Sequence, residues 1–177
     1  MRPFEHYRDD SMYHPLPAGL LIALSLACTQ ASTAAPLTVP HRTISLDGAS
    51  RLLDAAMAAC HADGKVLAAA VVDRGGNLVA LRRDDGVGPH NAVAAQRKAY
   101  TALSTRTATR LLAANSRASA EGANLNTVDT LLLLGGGVPL MADGELIGAI
   151  GIAGAGGPAT DEACAQAAID NVLRKTP

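Results

Sequence analysis

The chain has 177 residues, of which 49% are hydrophobic and 18% charged, so it is long enough for one globular domain and too apolar to be disordered. Its formal net charge is −1 and no run of lysine or arginine exceeds two residues, which excludes an electrostatic footprint for nucleic acid. Aromatic residues make up only 2%, which excludes base-stacking platforms and aromatic cages. The expected partners are therefore small molecules or protein surfaces.

Residues 1–34 are predicted to be a signal peptide. The apolar run 18–27 is too short to span a bilayer stably, and the small residues after it favour cleavage after Ala34. Cys28 matches a lipid-attachment pattern poorly, because leucine lies one place too far upstream. We therefore expect a periplasmic or secreted protein without a stable membrane span, consisting of a flexible segment at 35–42 and a single domain at 43–177.

The first half of that domain shows alternating helical and strand-like patterns. Apolar residues recur at helical spacing before Gly64, and a glycine-rich connection separates two β-prone runs. Pro89 suits the first turn of a further helix. The predicted elements are a β-prone stretch 43–46, a helix 49–62 capped by Asp47 or Ser50, a hairpin of strands 66–72 and 78–83, helices 90–103 and 107–114, and a polar loop 115–127.

The second half is predicted to hold three strands and a helix. The leucine run 131–134 is too short for a helix and ends in three glycines, so it favours a buried strand. Asp143-Gly144 is typical of a two-residue hairpin turn between strands 138–141 and 145–152. Thr160 is expected to cap a helix at 161–173. The fold class is therefore α+β, with a five-stranded antiparallel sheet flanked by helices in an α/β/α sandwich.

Two glycines and two cysteines leave alternatives open. Gly148 and Gly151 interrupt an aliphatic strand, which indicates either close packing of a helix or a ligand or partner lying on the strand. After cleavage, Cys60 and Cys164 remain, and export would permit a disulfide between them. Both look like small residues on inward helix faces, so we favour free buried thiols.

Five segments of the sequence carry a resemblance: DRGGNL at 73–78, RKAYTA at 97–102, GGGVPL at 135–140, GAIGI at 148–152 and DEACA at 161–165. Together they resemble the GlcG/HbpS-like haem-binding family, whose domain also forms the C-terminal part of PduO-type cobalamin adenosyltransferases. The resemblance covers about residues 43–173. It implies a five-stranded antiparallel sheet with flanking helices, homo-oligomers, and haem or corrinoid binding in some members. No iron ligand of the family maps onto this chain through a motif.

His90 is the best candidate metal ligand in the sequence. It directly follows Pro89 in the first turn of a predicted helix, where a neutral ring nitrogen could bind a metal. Arg97 lies on the same helix face, and Lys98 adds anion affinity, so both could hold carboxylates. The alternative is that this face is merely the solvated side of the helix. His61, near the end of an alanine-rich helix, is expected to be an ordinary surface residue.

The favoured function is binding of haem or a similar tetrapyrrole, with His90 on the iron and Arg97 and Lys98 near the propionates. A competing class is an enzyme acting on a small organic acid, with Glu121 or His90 transferring the proton. A third class is an interaction module whose only activity is assembly. We expect a binding protein rather than an enzyme, and a homo-oligomer because the alanine-rich helices bury little area.

Overall fold

The computed structural model describes residues 36–174. The predicted signal peptide, its cleavage site and Cys28 lie outside these residues. Within the described part of the chain, no helix has the length and hydropathy needed to cross a membrane.

A four-stranded antiparallel sheet lies between helices. Strand order is β2-β1-β4-β3, so β2 and β3 are the two edge strands. Helix α2 packs on one face through small side chains, and α1 and α5 pack on the other around the largest apolar cluster. The elements are α1 Leu46–Ala62, β1 Ala68–Asp73, β2 Leu78–Arg83, α2 His90–Thr105, α3 Thr109–Arg117, α4 Ala120–Ala123, a 3₁₀ turn Asn124–Thr127, β3 Gly137–Ala142, β4 Glu145–Ala153 and α5 Pro158–Val172.

The α+β class and the flanking helices are confirmed, but the prediction of five strands is wrong, because the leucine run 131–134 is not a strand. Its backbone groups bond to threonine side chains instead. Leu132 N–H donates to Thr101 Oγ1 at 2.8 Å, and Thr109 Oγ1 donates to Leu134 O at 2.7 Å. These bonds attach the run to α2 and α3, so it lies outside the sheet ladder.

Both predicted hairpins are present. Asp143 and Gly144 have φ of 50° and 79°, the positive values that a two-residue turn of this type requires. The predicted helix caps are wrong. Ser45 caps α1 by accepting from Gly48 N–H at 3.1 Å, and Gly157 is the residue before α5. Just before Ser45, Ile44 N–H donates to Ile147 O at 2.8 Å, so the chain contacts the start of β4 immediately before it enters α1.

Close helix packing explains Gly151. A Cβ atom at this position would lie 2.6 Å from Ala99 N and closer still to Ala95 O, both in the backbone of α2. The glycine therefore allows the backbone of α2 to pack directly against the backbone of β4. Ala95 and Ala99 have small side chains, which keep the distance between helix and strand short. The helix-packing interpretation of this strand glycine is confirmed.

Cys60 and Cys164 form a disulfide between α1 and α5, with a Cα–Cα distance of 5.6 Å. The prediction of free thiols is wrong. Both cysteines do lie on inward helix faces, but these faces oppose each other in the layer formed by α1 and α5. The sequence pattern indicates which face of a helix is buried and carries no information about which other helix lies opposite.

Candidate functional site

The solvent side of α2 carries His90, Val93, Arg97 and Tyr100, spaced three or four residues apart. This spacing places them on one side of the helix. His90 is exposed, and its ring forms no hydrogen bond with any described residue. Val93 is 60% exposed, and Tyr100 is the single aromatic residue of the described chain. The helix thus presents a free imidazole, an aliphatic side chain and an aromatic ring to solvent.

A cavity of about 380 Å³ lies along this face, where α2 meets the segment at 129–130. His90 lies one helical turn before Val93, the first residue that lines this cavity. The lining combines apolar and aromatic surface with one cation and one carboxylate. The lining residues are Val93, Gln96, Arg97, Tyr100, Asp129 and Thr130.

Arg97 builds the wall of this cavity. Its Nη2 donates to Asp129 O at 2.6 Å and to Leu131 O at 2.7 Å, which fixes the segment that follows the 3₁₀ turn. Its Nε is buried and has no hydrogen-bond partner among the described residues. Arg97 therefore lies where the sequence predicted, on the His90 side of α2, but one of its two terminal nitrogens already bonds to backbone carbonyls.

Lys98 does not share that face, which corrects the prediction that it adds anion affinity beside His90. Its side chain is buried, and the residue is 1% exposed. Nζ donates to Asp161 Oδ2 at 2.7 Å and to Ile152 O at 2.9 Å. The second carboxylate oxygen of Asp161 accepts from Ala155 N–H at 2.9 Å. The ion pair joins α2 to the start of α5 and to the loop after β4, and it is out of reach of a ligand on the helix surface.

The other sequence candidates lie apart from the cavity. Glu121 is exposed in the short helix α4 and does not line the cavity. His61 is not simply solvated, because its Nε2 lies 2.8 Å from Asp84 Oδ2. Among residues 36–174, no three His, Cys, Asp or Glu side chains are placed to hold a metal ion. A metal bound through His90 would need most of its ligands from elsewhere, as an iron already held by four macrocycle nitrogens does.

The sequence predicts the turn between β1 and β2 as a hairpin connection. In the structure this turn also places Arg74 in a second groove, whose lining includes Arg106 and Leu146. Asp73 organises this turn by accepting from Asn77 N–H at 2.8 Å. Partial desolvation acts to raise the pKa of Asp73, but hydrogen bonds from Asn77 and from the turn backbone outweigh it and hold that pKa below its usual value.

Comparison with known proteins places the chain in a family. The family model described as "Haem degrading protein HbpS-like" matches residues 44–170. The chain is 32% identical over 130 residues to a 15.0 kDa protein from the dhaT-dhaS intergenic region of Citrobacter freundii, covering 72% of this chain and 91% of that protein. It is 40% identical over 86 residues to Protein GlcG of Escherichia coli K12, covering 47% of this chain and 60% of GlcG.

Solved structures agree with this assignment. A double mutant of HbpS from Streptomyces reticuli superposes with a TM-score of 0.71 at 34% identity, covering 78% of this chain and 97% of that one. A structure described as a PduOC:heme complex has a TM-score of 0.65 at 28% identity, covering 72% of this chain and 93% of the other. The family model spans well over half of the sequence, and the folds agree. The chain belongs to the HbpS-like family.

Proposed function

We propose that this protein binds haem or a similar tetrapyrrole on the solvent side of α2, with His90 as the protein ligand to the iron. The observation that carries the proposal is the free imidazole of His90, one turn from a cavity lined by Val93 and Tyr100. Apolar lining with a few placed polar groups is the usual character of a cofactor site. A relative solved as a heme complex gives independent support.

The residues of this face fit such a ligand. His90 supplies the single protein donor that macrocycle-bound iron needs, and Val93 and Tyr100 supply contacts for the ring. Arg97 offers its Nε–H as a hydrogen-bond donor for the ligand, because this group is buried without a partner among the described residues. Bound haem would supply an iron centre for ligand binding or electron transfer. The protein's part is to hold the ring, to provide one axial ligand and to keep the cavity wall at 129–131 in place.

Replacing His90 with alanine is expected to abolish the shift of the Soret band that hemin gives with the wild-type protein. The fold should be retained, because an exposed residue at a helix start contributes little to the core. Titration with hemin, followed by absorbance and by far-UV circular dichroism, measures both effects. The matched control is His61→Ala, which also removes an exposed histidine and should leave the Soret shift intact.

Arg97→Ala should weaken hemin binding by roughly 1–3 kcal/mol, the usual value of a hydrogen bond to a charged group, without changing the wavelength of the bound form. The substitution should also loosen the cavity wall at 129–131, because the carbonyls of Asp129 and Leu131 lose their donor. An unchanged spectrum for His90→Ala would place the iron ligand elsewhere. If hemin gives no Soret shift with the wild-type protein, the proposal that the protein binds haem is wrong.

The description of the family model as a haem-degrading protein supports a second candidate function, degradation of the bound haem. The two functions differ in the fate of the Soret band. A binding protein should keep the band stable or protect it, relative to hemin alone, when hydrogen peroxide is added. A degrading protein should accelerate its loss, and His90→Ala should cancel the acceleration.

We further propose that the protein is exported and forms homo-oligomers. The disulfide between Cys60 and Cys164 supports export, because such bonds persist in oxidising compartments and are rare in the cytosol. Small side chains along α2 and α5 support assembly, because a domain with so little bulk in its helices gains from burying area against a second copy. Native mass spectrometry of protein from its own host tests both: we expect a chain that begins after Ala34 and a mass that is a multiple of the monomer. An intact N-terminus or a monomer at micromolar concentration would contradict the respective proposal.

A further inference from the structure

We propose that the groove at the C-terminal end of α2 binds a small oxyanion, a carboxylate or phosphate group, between Arg74 and Arg106. Of the lining residues, Tyr100 alone is shared with the cavity on the His90 face. Arg106 follows the 16 residues of α2 that begin with His90, and a helix of that length places the two residues roughly 24 Å apart. A ligand whose iron is bound by His90 does not need this groove, and a ligand in this groove does not need His90.

Two adjoining cavities form the groove. One has a volume of about 380 Å³ and the other about 250 Å³, and Arg74, Arg106 and Leu146 line both. The two arginines therefore lie where the cavities meet. Ser104 and Tyr100 line the smaller cavity, and His41 lines the larger one. A ligand between the arginines would have hydroxyl and imidazole groups within the same groove.

Neither arginine has a carboxylate partner among the described residues, whereas five of the ten described arginines form ion pairs. Glu145 is the carboxylate that lines the groove; it is exposed, and it belongs to the larger cavity. The described arginines that do form ion pairs are Arg42 with Asp143, Arg51 with Asp47, Arg82 with Asp54, Arg110 with Glu162 and Arg174 with Asp170. Two guanidinium groups against one exposed carboxylate leave the groove with an excess of positive charge, which favours an anion there.

Arg74 is held in position before any ligand arrives. Its backbone N–H donates to Thr43 Oγ1 at 3.2 Å, and its Nη1 donates to Leu146 O. The turn that carries it is fixed by Asp73, as described above. The remaining N–H groups of the guanidinium have no partner among the described residues, so they are free to bind an oxyanion. A side chain ordered in advance loses less conformational entropy on binding.

The backbone of Arg106 has a left-handed conformation that is unfavourable for arginine. It ends α2 with φ of 52° and ψ of 30°, the left-handed region where glycine is usual at the end of a helix. A positive charge near a helix C-terminus is favourable in itself. However, the guanidinium donates to no helix carbonyl among the described residues, and only the backbone N–H of Arg106 bonds back, to Leu103 O. A strained backbone at an arginine whose side chain lines a cavity supports a functional role for that side chain.

Isothermal titration calorimetry at constant ionic strength tests the site, with inorganic phosphate and succinate as separate probes. Wild-type protein should bind at least one probe, and the probe that binds identifies a phosphate or a carboxylate site. Arg106→Gly and Arg74→Ala should each weaken this binding roughly tenfold or more, the loss expected for a bond between charged groups. Arg117→Ala removes an exposed arginine that lies outside the groove and should leave binding unchanged.

Arg106→Gly gives a second, opposite readout that excludes damage to the fold. Without ligand, it should raise the melting temperature by roughly 2–4 °C, because glycine adopts the left-handed conformation without strain. Loss of anion binding in a variant that melts higher would establish the proposed role. The proposal is overturned if neither probe binds, if Arg106→Gly binds as tightly as wild type, or if Arg117→Ala loses binding to the same extent.

Discussion

Reduction of the disulfide between Cys60 and Cys164 is expected to lower the free energy of unfolding by about 4–5 kcal/mol. The bond joins residues 104 positions apart. A cross-link over a loop of that length removes much of the entropy of the unfolded chain, and the estimate is the usual value for about 100 residues. Urea unfolding with and without dithiothreitol measures the difference. The Cys60→Ser, Cys164→Ser double variant should match the reduced protein and should not respond to dithiothreitol.

The state of the sulfurs can be determined directly. Alkylation of the unfolded, unreduced protein followed by peptide mass analysis should leave Cys60 and Cys164 unmodified and linked. If both residues carry the alkyl group, the disulfide is absent from the protein and the support it gives to export is lost with it.

Replacing Lys98 with methionine is expected to cost about 3–5 kcal/mol of stability, the usual effect of removing one partner of a buried ion pair. The carboxylate of Asp161 would remain buried with only Ala155 N–H as a donor. Adding Asp161→Asn should restore most of the loss, because the amide oxygen still accepts from Ala155 and no charge remains buried. Chemical denaturation of both variants measures the loss and its recovery.

An exposed ion pair provides the control for Lys98. Arg174 and Asp170 lie 2.9 Å apart with both side chains exposed, so Asp170→Asn should change the stability by no more than about 1 kcal/mol. If Lys98→Met unfolds at the same denaturant concentration as wild type, the buried pair does not stabilise the fold. If the double variant is no better than the single one, the loss has a cause other than the unpaired charge.

Local signals in the sequence predicted the four longer helices and both hairpins, whereas α4 lies in the stretch predicted to be a loop. Asp143-Gly144 is a clear example, because the turn depends on the backbone preferences of two adjacent residues. The leucine run 131–134 shows where such reasoning fails. Its composition suits a strand, but Thr101 and Thr109, which lie more than 20 residues away, bind its backbone from α2 and α3. A pattern of hydrophobicity contains no information about a hydrogen-bond partner from another element.

The candidate site shows the same division between local and distant information. Helical spacing placed His90 and Arg97 on one side of α2, and the structure has them there. Lys98 lies among Ala95, Ala99 and Ala102, which are all buried, and this spacing could have revealed that it points inward. Its partner Asp161 is 63 residues away, so the ion pair itself required the fold.

The order of the strands gives the sheet two unequal edges. β3 contains Pro139, which has no N–H to offer to a neighbouring strand. β2 has no proline, and along its length Arg82 and Arg83 are exposed. Charge and proline are two different means by which proteins prevent unwanted strand pairing. Arg82 is already paired with Asp54, so Arg83 carries most of the protection at β2. Fibril-like growth of this sheet would therefore start more readily at β2, where neutralising that charge removes the protection, than at β3, where the missing N–H is permanent.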